Sequence, residues 1–353
     1  MKDFATRSLV RILTVAAMAA FGATAPALAD DTLQVITGAQ PSAYYQVLDD
    51  VAQLGGYYKA EHLIVNVNYA GNPTIAAQLV SSGKGDIGAE AVEPLIIGYE
   101  RGIRLQAFFS RAQTNEYVLG VNADSPIRRL ADFKGQILGE YSVGSSAEDY
   151  VNSMLAGAGL SRGDYSYIPI GNGAQAIQAL NAHKVAGAAF PVLELLNYQI
   201  TAGQKYRFFF HPILQYIGDT AYVATPATIQ GKADALKRFC RATAKAAILI
   251  RENPRLAARW YLEGAGIKVT DDAVDKEVQL LVLAQEMLPG ANPMSSRIGD
   301  IPPSGMAVLA QAMYENGRTT QAISPALFDT DQFVTYANDF DHKAEIARAK
   351  AMK

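Results

Sequence analysis

Short apolar stretches with alternating polar positions recur along this chain. Each is followed by a segment in which apolar residues return every three or four positions. Residues 33–37 read as a strand, a loop follows over 38–43, and a helix runs from about 44 to 54. Residues 64–69 give the next strand, with Val65, Val67 and Tyr69 on one side. Asn72 and Pro73 open a helix, since asparagine caps well and proline fits the first helical position. Ile75, Ala76 and Leu79 form its inward stripe and Gly83 ends it. Residues 86–89 make a very short strand, Pro94 starts a short helix, and 105–109 form another strand. The order then repeats. Residues 137–141 are a strand, Val143 and Gly144 a loop, and Ser145 opens a helix with Glu148 three residues on, a capping box. Residues 167–170 are a strand, 174–182 a helix with Ile177 and Leu180 inward, and 185–190 and 206–210 are strands. From about Gly231 to Lys353 the pattern is helical, punctuated by Pro302, Pro303 and Pro325. Strands alternating with helices predict an α/β protein with parallel sheets covered on both faces.

One internal echo supports two similarly built halves. Lys84-Gly85-Asp86-Ile87-Gly88-Ala89 leads on to Glu93, and Lys184-Val185-Ala186-Gly187-Ala188-Ala189 leads on to Glu194. Each follows a helix and enters a short strand.

The N-terminal segment has a different pattern. Lys2, Arg7 and Arg11 precede an apolar run from Ile12 to Phe21, and Ala27-Leu28-Ala29 then gives a small-x-small signal before Asp30. Residues 1–29 read as a secretory signal peptide, cleaved on export. The run is short for a membrane span, has no cysteine after it for a lipid anchor and no twin arginine before it. A periplasmic location follows. The remaining chain of about 324 residues suits two domains. Its single cysteine, Cys240, can make no intramolecular disulfide and sits on the apolar face of a helix with Leu236, Phe239 and Ala247. The net charge of −3 provides no basic field for nucleic acid.

Several segments carry a family resemblance. Gly56-Tyr57-Tyr58-Lys59-Ala60-Glu61-His62-Leu63 precedes the second strand, residues 77–88 join a helix to a strand through Gly83 and Asp86, and Asp124-Ser125-Pro126-Ile127 with Leu130-Ala131-Asp132-Phe133-Lys134-Gly135 forms a turn. In that order they resemble the periplasmic substrate-binding proteins of ABC importers, in the branch of nitrate, sulfonate, taurine and thiamine-pyrimidine-precursor binders. The resemblance spans roughly residues 32–260. Two positions depart from it: His62 stands where the family usually has glycine, and Gly187 where it often has aspartate.

The resemblance implies a two-lobed type II periplasmic-binding-protein fold, with mixed or parallel sheets covered by helices and a ligand cleft between the lobes. Residues 30–118 and 222–353 would form lobe I and 119–221 lobe II, with crossings near 116–118 and 219–222. The lobes would close over ligand by hinge motion. Ligands of open α/β sheets bind beyond the strand C-termini. The cleft candidates are therefore Gln40, Ser42, Tyr44, Asn72, Glu90 and Gln113 from the first lobe, Ser145, Ser146, Phe190 and Glu194 from the second, and Tyr222 near the return crossing. Each has a plainer role open to it: Ser145 as a helix cap, Tyr44 and Tyr222 as core residues, Glu194 as a solvated helix residue. Arg111 either meets an anionic ligand or pairs with a nearby carboxylate. The balance of carboxylates and hydroxyls tilts toward a neutral or amine-bearing solute, since sulfonate or nitrate sites usually supply arginine or lysine.

Enzyme signatures are missing from the sequence. There is no Gly-x-Ser-x-Gly elbow and no glycine-rich phosphate loop, and His62, His183, His211 and His342 have no metal-ligand spacing. No cofactor or metal is expected. The reading is a monomeric, exported binding subunit whose partners are a small-molecule ligand and an inner-membrane ABC permease. Two alternatives stay open: an enzyme of the thiamine-pyrimidine-synthase-like branch, and a sensor subunit that presents ligand to a membrane receptor.

Overall fold

The computed structural model describes residues 30–38, 46–71, 73–112, 115–143, 145, 147–171, 173–212, 218, 220–287, 297–301 and 303–353. The leader expected at 1–29 lies outside the described residues.

Among the described residues, ten strands divide into two five-stranded sheets. The first contains β1 (Asp31–Thr37), β2 (Leu63–Tyr69), β3 (Ile87–Ala91), β4 (Gln106–Ala112) and β10 (Thr220–Ala224), in the order β2-β1-β3-β10-β4. The second contains β5 (Tyr117–Asn122), β6 (Ile137–Glu140), β7 (Ser166–Pro169), β8 (Gly187–Pro191) and β9 (Tyr206–Phe209), in the order β7-β6-β8-β5-β9. The two orders are equivalent. Strands β1 to β3 pair in parallel, as do β6 to β8. The antiparallel member of each sheet is the strand that arrives from the other: β10 lies between β3 and β4, and β5 between β8 and β9. The sheets are thus mixed, as the resemblance implied. Sequence periodicity missed β5 and β10 because each is a short, almost wholly buried run, which has no alternation to read.

The internal echo is structural. β3 and β8 hold the same place in the two sheets, and Glu90 and Phe190 are each the fourth residue of their strand, opposite Ala221 and Val118 on the crossing strands.

Helices cover the sheets in chain order: α1 (Val47–Leu54), α2 (Tyr57–Ala60), α3 (Pro73–Ser81), α4 (Glu93–Glu100), α5 (Ala147–Gly157), α6 (Gly173–Asn181), α7 (Val192–Ala202), α8 (Pro226–Gly231), α9 (Ala233–Glu252), α10 (Pro254–Gly264), α11 (Asp271–Met287), α12 (Pro303–Glu315), α13 (Val334–Ala337) and α14 (His342–Ala351). The first sheet's larger core joins α1, α2, α9 and α10 to one face. There Phe239 stacks on Tyr58 with ring centres 5.2 Å apart and meets Tyr222 edge-on at 4.8 Å. Burying each ring stabilises the fold by roughly 2 kcal/mol. Cys240 is fully buried in the same core, as its helical position predicts. Arg238 of α9 ties this layer to the sheet: it donates to the carbonyls of Glu61 (2.6 Å) and His62 (3.1 Å) and pairs with Asp234 and Asp31.

Each lobe also contributes to the other's packing. Tyr150 of α5 packs in the first sheet's second core, with α3, α4 and α12. Leu280 and Ala284 of α11 pack in a core of the second sheet, against α7.

Two local expectations are corrected. Ile75 is 48% exposed, and the inward stripe of α3 is Ala76, Ala77 and Val80; small residues let this helix lie close to the sheet. α5 begins at Ala147, one position later than a capping box at Ser145 requires. Ser145 Oγ accepts from the Ala147 N–H at 3.4 Å, and Glu148 turns instead toward Arg162 at 3.6 Å.

Both departures from the family pattern have a backbone explanation. Gly187 sits where an added Cβ would lie 3.0 Å from the Gly120 carbonyl and from Val121, so aspartate here would require these neighbours to give by a few tenths of an ångström. His62 has φ 53° and His183 φ 52°, a left-handed conformation that favours glycine. At the matching place in the first lobe stands Gly83, φ +76°. Gly83 and His183 close their helices with the same bonds, Lys84 N–H to Leu79 O (2.9 Å) and Lys184 N–H to Ala179 O (3.0 Å). Replacing His183 or His62 with glycine is expected to raise stability by about 0.5–1 kcal/mol. An unchanged or lower urea midpoint would contradict this account.

Candidate functional site

The parallel strands β1 and β3 and their counterparts β6 and β8 end at the region where the chain crosses between lobes. The site is built on those ends. In the first lobe a buried ion pair anchors it. Arg111, at the end of β4, meets Asp49 of α1 at 2.5 Å, and both side chains are at most 2% exposed. Asp49 Oδ1 also accepts hydroxyl bonds from Tyr222 (2.6 Å) and Tyr58 (3.4 Å). The guanidinium carbon lies 5.0 Å from the centre of the Tyr222 ring. Of the two roles open to Arg111, the structure shows the carboxylate pair. Tyr222 is fully buried beneath it.

Glu90 follows from the end of β3. It is 5% exposed, and its Oε1 accepts the Gly38 N–H at 3.2 Å, beyond the end of β1. Burial pushes its carboxyl up to about 8, against smaller opposing pulls from the Gly38 bond and Arg111. Neighbouring Asp50 is raised to about 7 by burial and by Asp49, with Arg111 opposing.

Glu116 stands in the crossing segment between β4 and β5 and is 7% exposed. Its carbonyl accepts the Val192 N–H at 2.7 Å, which fixes the start of α7 against the crossing. Burial raises its carboxyl; Arg111 of the first lobe lowers it and Glu194 of the second raises it. Glu116 is therefore where the two lobes' charges meet.

In the second lobe, Glu194 in the first turn of α7 accepts a hydrogen bond from the Tyr198 hydroxyl and one from the Gly173 N–H at 3.4 Å, the first residue of α6. Gly173 N–H also donates to Tyr198 Oη at 2.6 Å. Glu194 is thus engaged with α6 rather than solvated on an outer face. Phe190 is fully buried at the end of β8, 6.3 Å from the ring of Tyr141, which is 47% exposed just past β6. Ser145 stands at the start of α5 and is half-buried.

A second lobe-to-lobe contact lies at α5. Glu93, 1% exposed at the start of α4, is pushed up to about 8 by burial, with a hydrogen bond from Tyr150 opposing. Asp149 meets Arg318 at 3.3 Å, and its carbonyl accepts from Asn316 at 3.1 Å.

Residues 50–257 match the family described as NMT1/THI5 like, which is more than half of the chain. The chain belongs to the NMT1/THI5-like family. Solved structures share the fold of this NMT1/THI5-like protein. The periplasmic aliphatic sulphonate binding protein SsuA of Escherichia coli is 18% identical, with a TM-score of 0.65 over 85% of this chain and 92% of that one. The alkanesulfonate-binding protein SsuA of Xanthomonas axonopodis pv. citri, solved bound to MOPS, is 16% identical, with a TM-score of 0.64 over 86% and 100%. The desulfurization enzyme DSZB is more distant, 12% identical with a TM-score of 0.52 over 87% and 98%. Among curated proteins none matches the sequence. The two-lobed periplasmic-binding-protein fold is therefore that of this NMT1/THI5-like protein. Among the described residues, no helix is long and apolar enough to cross a membrane and no three His, Cys, Asp or Glu residues group to hold a metal ion.

Of the eleven residues nominated from sequence, Gln40, Ser42, Tyr44, Asn72, Gln113 and Ser146 lie outside the described residues. Glu90 and Glu194 lie at the ends of their own lobes' sheets, and Glu116 sits between them. Phe190 and Tyr222 lie deeper, inside their lobes. Sequence reasoning missed Asp49 and Glu116 as members of this constellation. Asp49 left one trace: it falls on an apolar helix face, among Val47, Leu48, Val51 and Ala52, where an unpaired carboxylate is costly.

A carboxyl whose folded pKa exceeds its unfolded value keeps a proton that the unfolded chain has lost. Between about pH 4.5 and 8 the native state binds more protons through Glu90 and Glu93, so stability falls as pH rises across that window. Urea unfolding at about pH 5.5 and 8.5 should show this loss, and Glu90→Gln should reduce it. A slope that Glu90→Gln leaves unchanged would place the proton elsewhere.

Proposed function

We propose that this protein is the extracytoplasmic solute-binding subunit of an ABC-type importer. It captures a small organic solute between the lobes and delivers it, chemically unchanged, to an inner-membrane permease. The observation that carries this reading is the convergence of both lobes' strand ends on the crossing at Glu116, flanked by Glu90 and Glu194. Ligands of open α/β sheets bind at such ends, and two lobes joined by two crossings can close by hinge motion. Family membership and the likeness to sulfonate-binding proteins support it. The N-terminal pattern, cationic then apolar then Ala27-Leu28-Ala29, supports export to the periplasm with cleavage after residue 29.

On this reading lobe I comprises 30–118 and 222–353 and lobe II 119–221. Tyr44, Ser42, Asn72 and Glu90 would meet the solute from one side and Ser145 and Glu194 from the other, with Phe190 buried behind them. The protein acts as a monomer.

The likeness to DSZB keeps an enzymatic reading in view, since a variant of that enzyme with one cysteine changed to serine was solved with biphenyl-2-sulfinic acid. Here the lone cysteine, Cys240, is fully buried in the first lobe's core, and burial pushes its thiol well above the ordinary range. A thiol so placed is no nucleophile.

Solute binding predicts that a cognate ligand raises the melting temperature in proportion to the logarithm of its concentration. Mass spectrometry should recover that ligand intact after prolonged incubation. The double variant Tyr44→Ala/Glu194→Ala should weaken binding by about tenfold or more. Product accumulation would replace import with catalysis, and unchanged affinity in the double variant would discard this site.

A further inference from the structure

Two backbone donors described at these ends are used by the protein's own side chains. The Gly38 N–H beyond β1 is taken by Glu90, and the Gly173 N–H that opens α6 by Glu194 and Tyr198. Free N–H groups at strand ends and helix N-termini are what an anionic ligand exploits. The guanidinium that acts on both Glu90 and Glu116 belongs to Arg111, whose charge is matched by Asp49 at 2.5 Å. A sulfonate would enter a place where three carboxyls stand and the cation acting on them is already paired.

A second, independent observation points to a missing donor. Gln46 is fully buried, and its Nε2 lies 3.4 Å from Thr37 Oγ1 at the last residue of β1. Thr37 Oγ1 donates its proton to the Ala89 carbonyl at 3.3 Å, so it can only accept from Gln46, which fixes the amide's orientation. Gln46 Oε1 is then a buried acceptor without a donor among the described residues, beside the strand end that Glu90 also reaches. A buried acceptor left open is costly unless a ligand supplies a proton. The rims add rings: Tyr69 at the end of β2 lies within electrostatic reach of Asp49, Asp50 and Arg111, and Tyr141 past β6 lies against Phe190.

We propose that the solute carries a cationic, hydrogen-bond-donating group, an ammonium or amidinium on an apolar or aromatic body, held by Glu90, Glu116 and Glu194 with Gln46 Oε1 accepting from it. This deepens the solute-binding reading and rests on it. It distinguishes this protein from the sulfonate binders that share its fold. An ammonium offers three donors and one positive charge, and Tyr69 and Tyr141 can cover its body or its cation face. Entry of the cation favours ionisation of carboxyls that burial holds protonated, so binding releases protons. The charged groups facing Glu90 are Arg111, and those facing Glu116 are Arg111 and Glu194.

The test is a matched panel on the full-length mature chain: benzylamine, benzamidine and choline against benzenesulfonate and ethanesulfonate, read by melting temperature and calorimetry. At least one cation should stabilise the protein and the sulfonates should not. Affinity should rise from about pH 6 to 8 while protons are released, as calorimetry in buffers of different ionisation heat would show. Glu194→Gln and Glu116→Gln should each weaken the cation by about tenfold or more. Glu263→Gln, an exposed acid on α10, should not. If the glutamine variants fail to fold, Tyr141→Ala, an exposed side chain, should still weaken a benzyl cation more than choline. Stabilisation by a sulfonate would overturn the cationic class and leave solute binding standing. Absence of any cation effect would overturn it too. Conversion of a bound probe into product would instead sink the solute-binding reading itself.

Discussion

One buried ion pair, Arg111 with Asp49, governs much of this architecture. It joins β4 to α1, and the Tyr222 hydroxyl adds β10 to the same carboxylate. Three elements far apart in sequence are thereby fixed at the end of one sheet. Both charges are out of water, so neither tolerates loss of the other: removing one partner of such a pair costs about 3–5 kcal/mol. The pair also has an electrostatic consequence. It consumes the positive charge that acts on the crossing and leaves Glu90, Asp50 and Glu116 to be stabilised by retained protons, bonds to backbone, or ligand.

The second constraint is topological. Each sheet takes its fourth position from a strand that has just crossed from the other lobe. The first sheet is complete only once the chain returns with β10, whereas the second is built from the contiguous segment 117–209. Tyr150 in a first-lobe core, and Leu280 and Ala284 in a second-lobe core, extend that dependence into side-chain packing. A hinge motion in such a molecule must pivot about β5 and β10 and slide these contacts.

The fold was legible where local pattern and tertiary demand agree. The glycine-ended helices and the alternating strands of both halves read directly, and so did the echo that places β3 and β8 alike. The crossing positions came from the resemblance, yet their strand character did not. Residues 117–122 and 220–224 are buried on both sides and lack a period. Ile75 misled because hydrophobicity alone does not say which face a helix of small residues presents. Glu90 and Glu194 could be nominated from sequence for a simple reason: they follow strands, and ligands of open α/β sheets bind beyond strand ends. Asp49 and Glu116 act through neighbours from other elements. Their importance comes from long-range pairing with Arg111 and Glu194, which no sequence window contains.

A shared fold at 12–18% identity fixes where a ligand sits and not what it is. In open α/β lobes the backbone at strand ends and helix starts is inherently suited to anions, whatever the side chains. A lineage can change ligand class without altering a strand if it places carboxyls on those same N–H groups. Glu90 on Gly38 and Glu194 on Gly173 occupy two such N–H groups, one in each lobe. Glu194 raises the affinity of Glu116 for protons, and Arg111 opposes it. On the cationic-solute reading, selectivity comes from the energy needed to exchange the protons that burial favours on Glu90 and Glu116 for the charge of a solute.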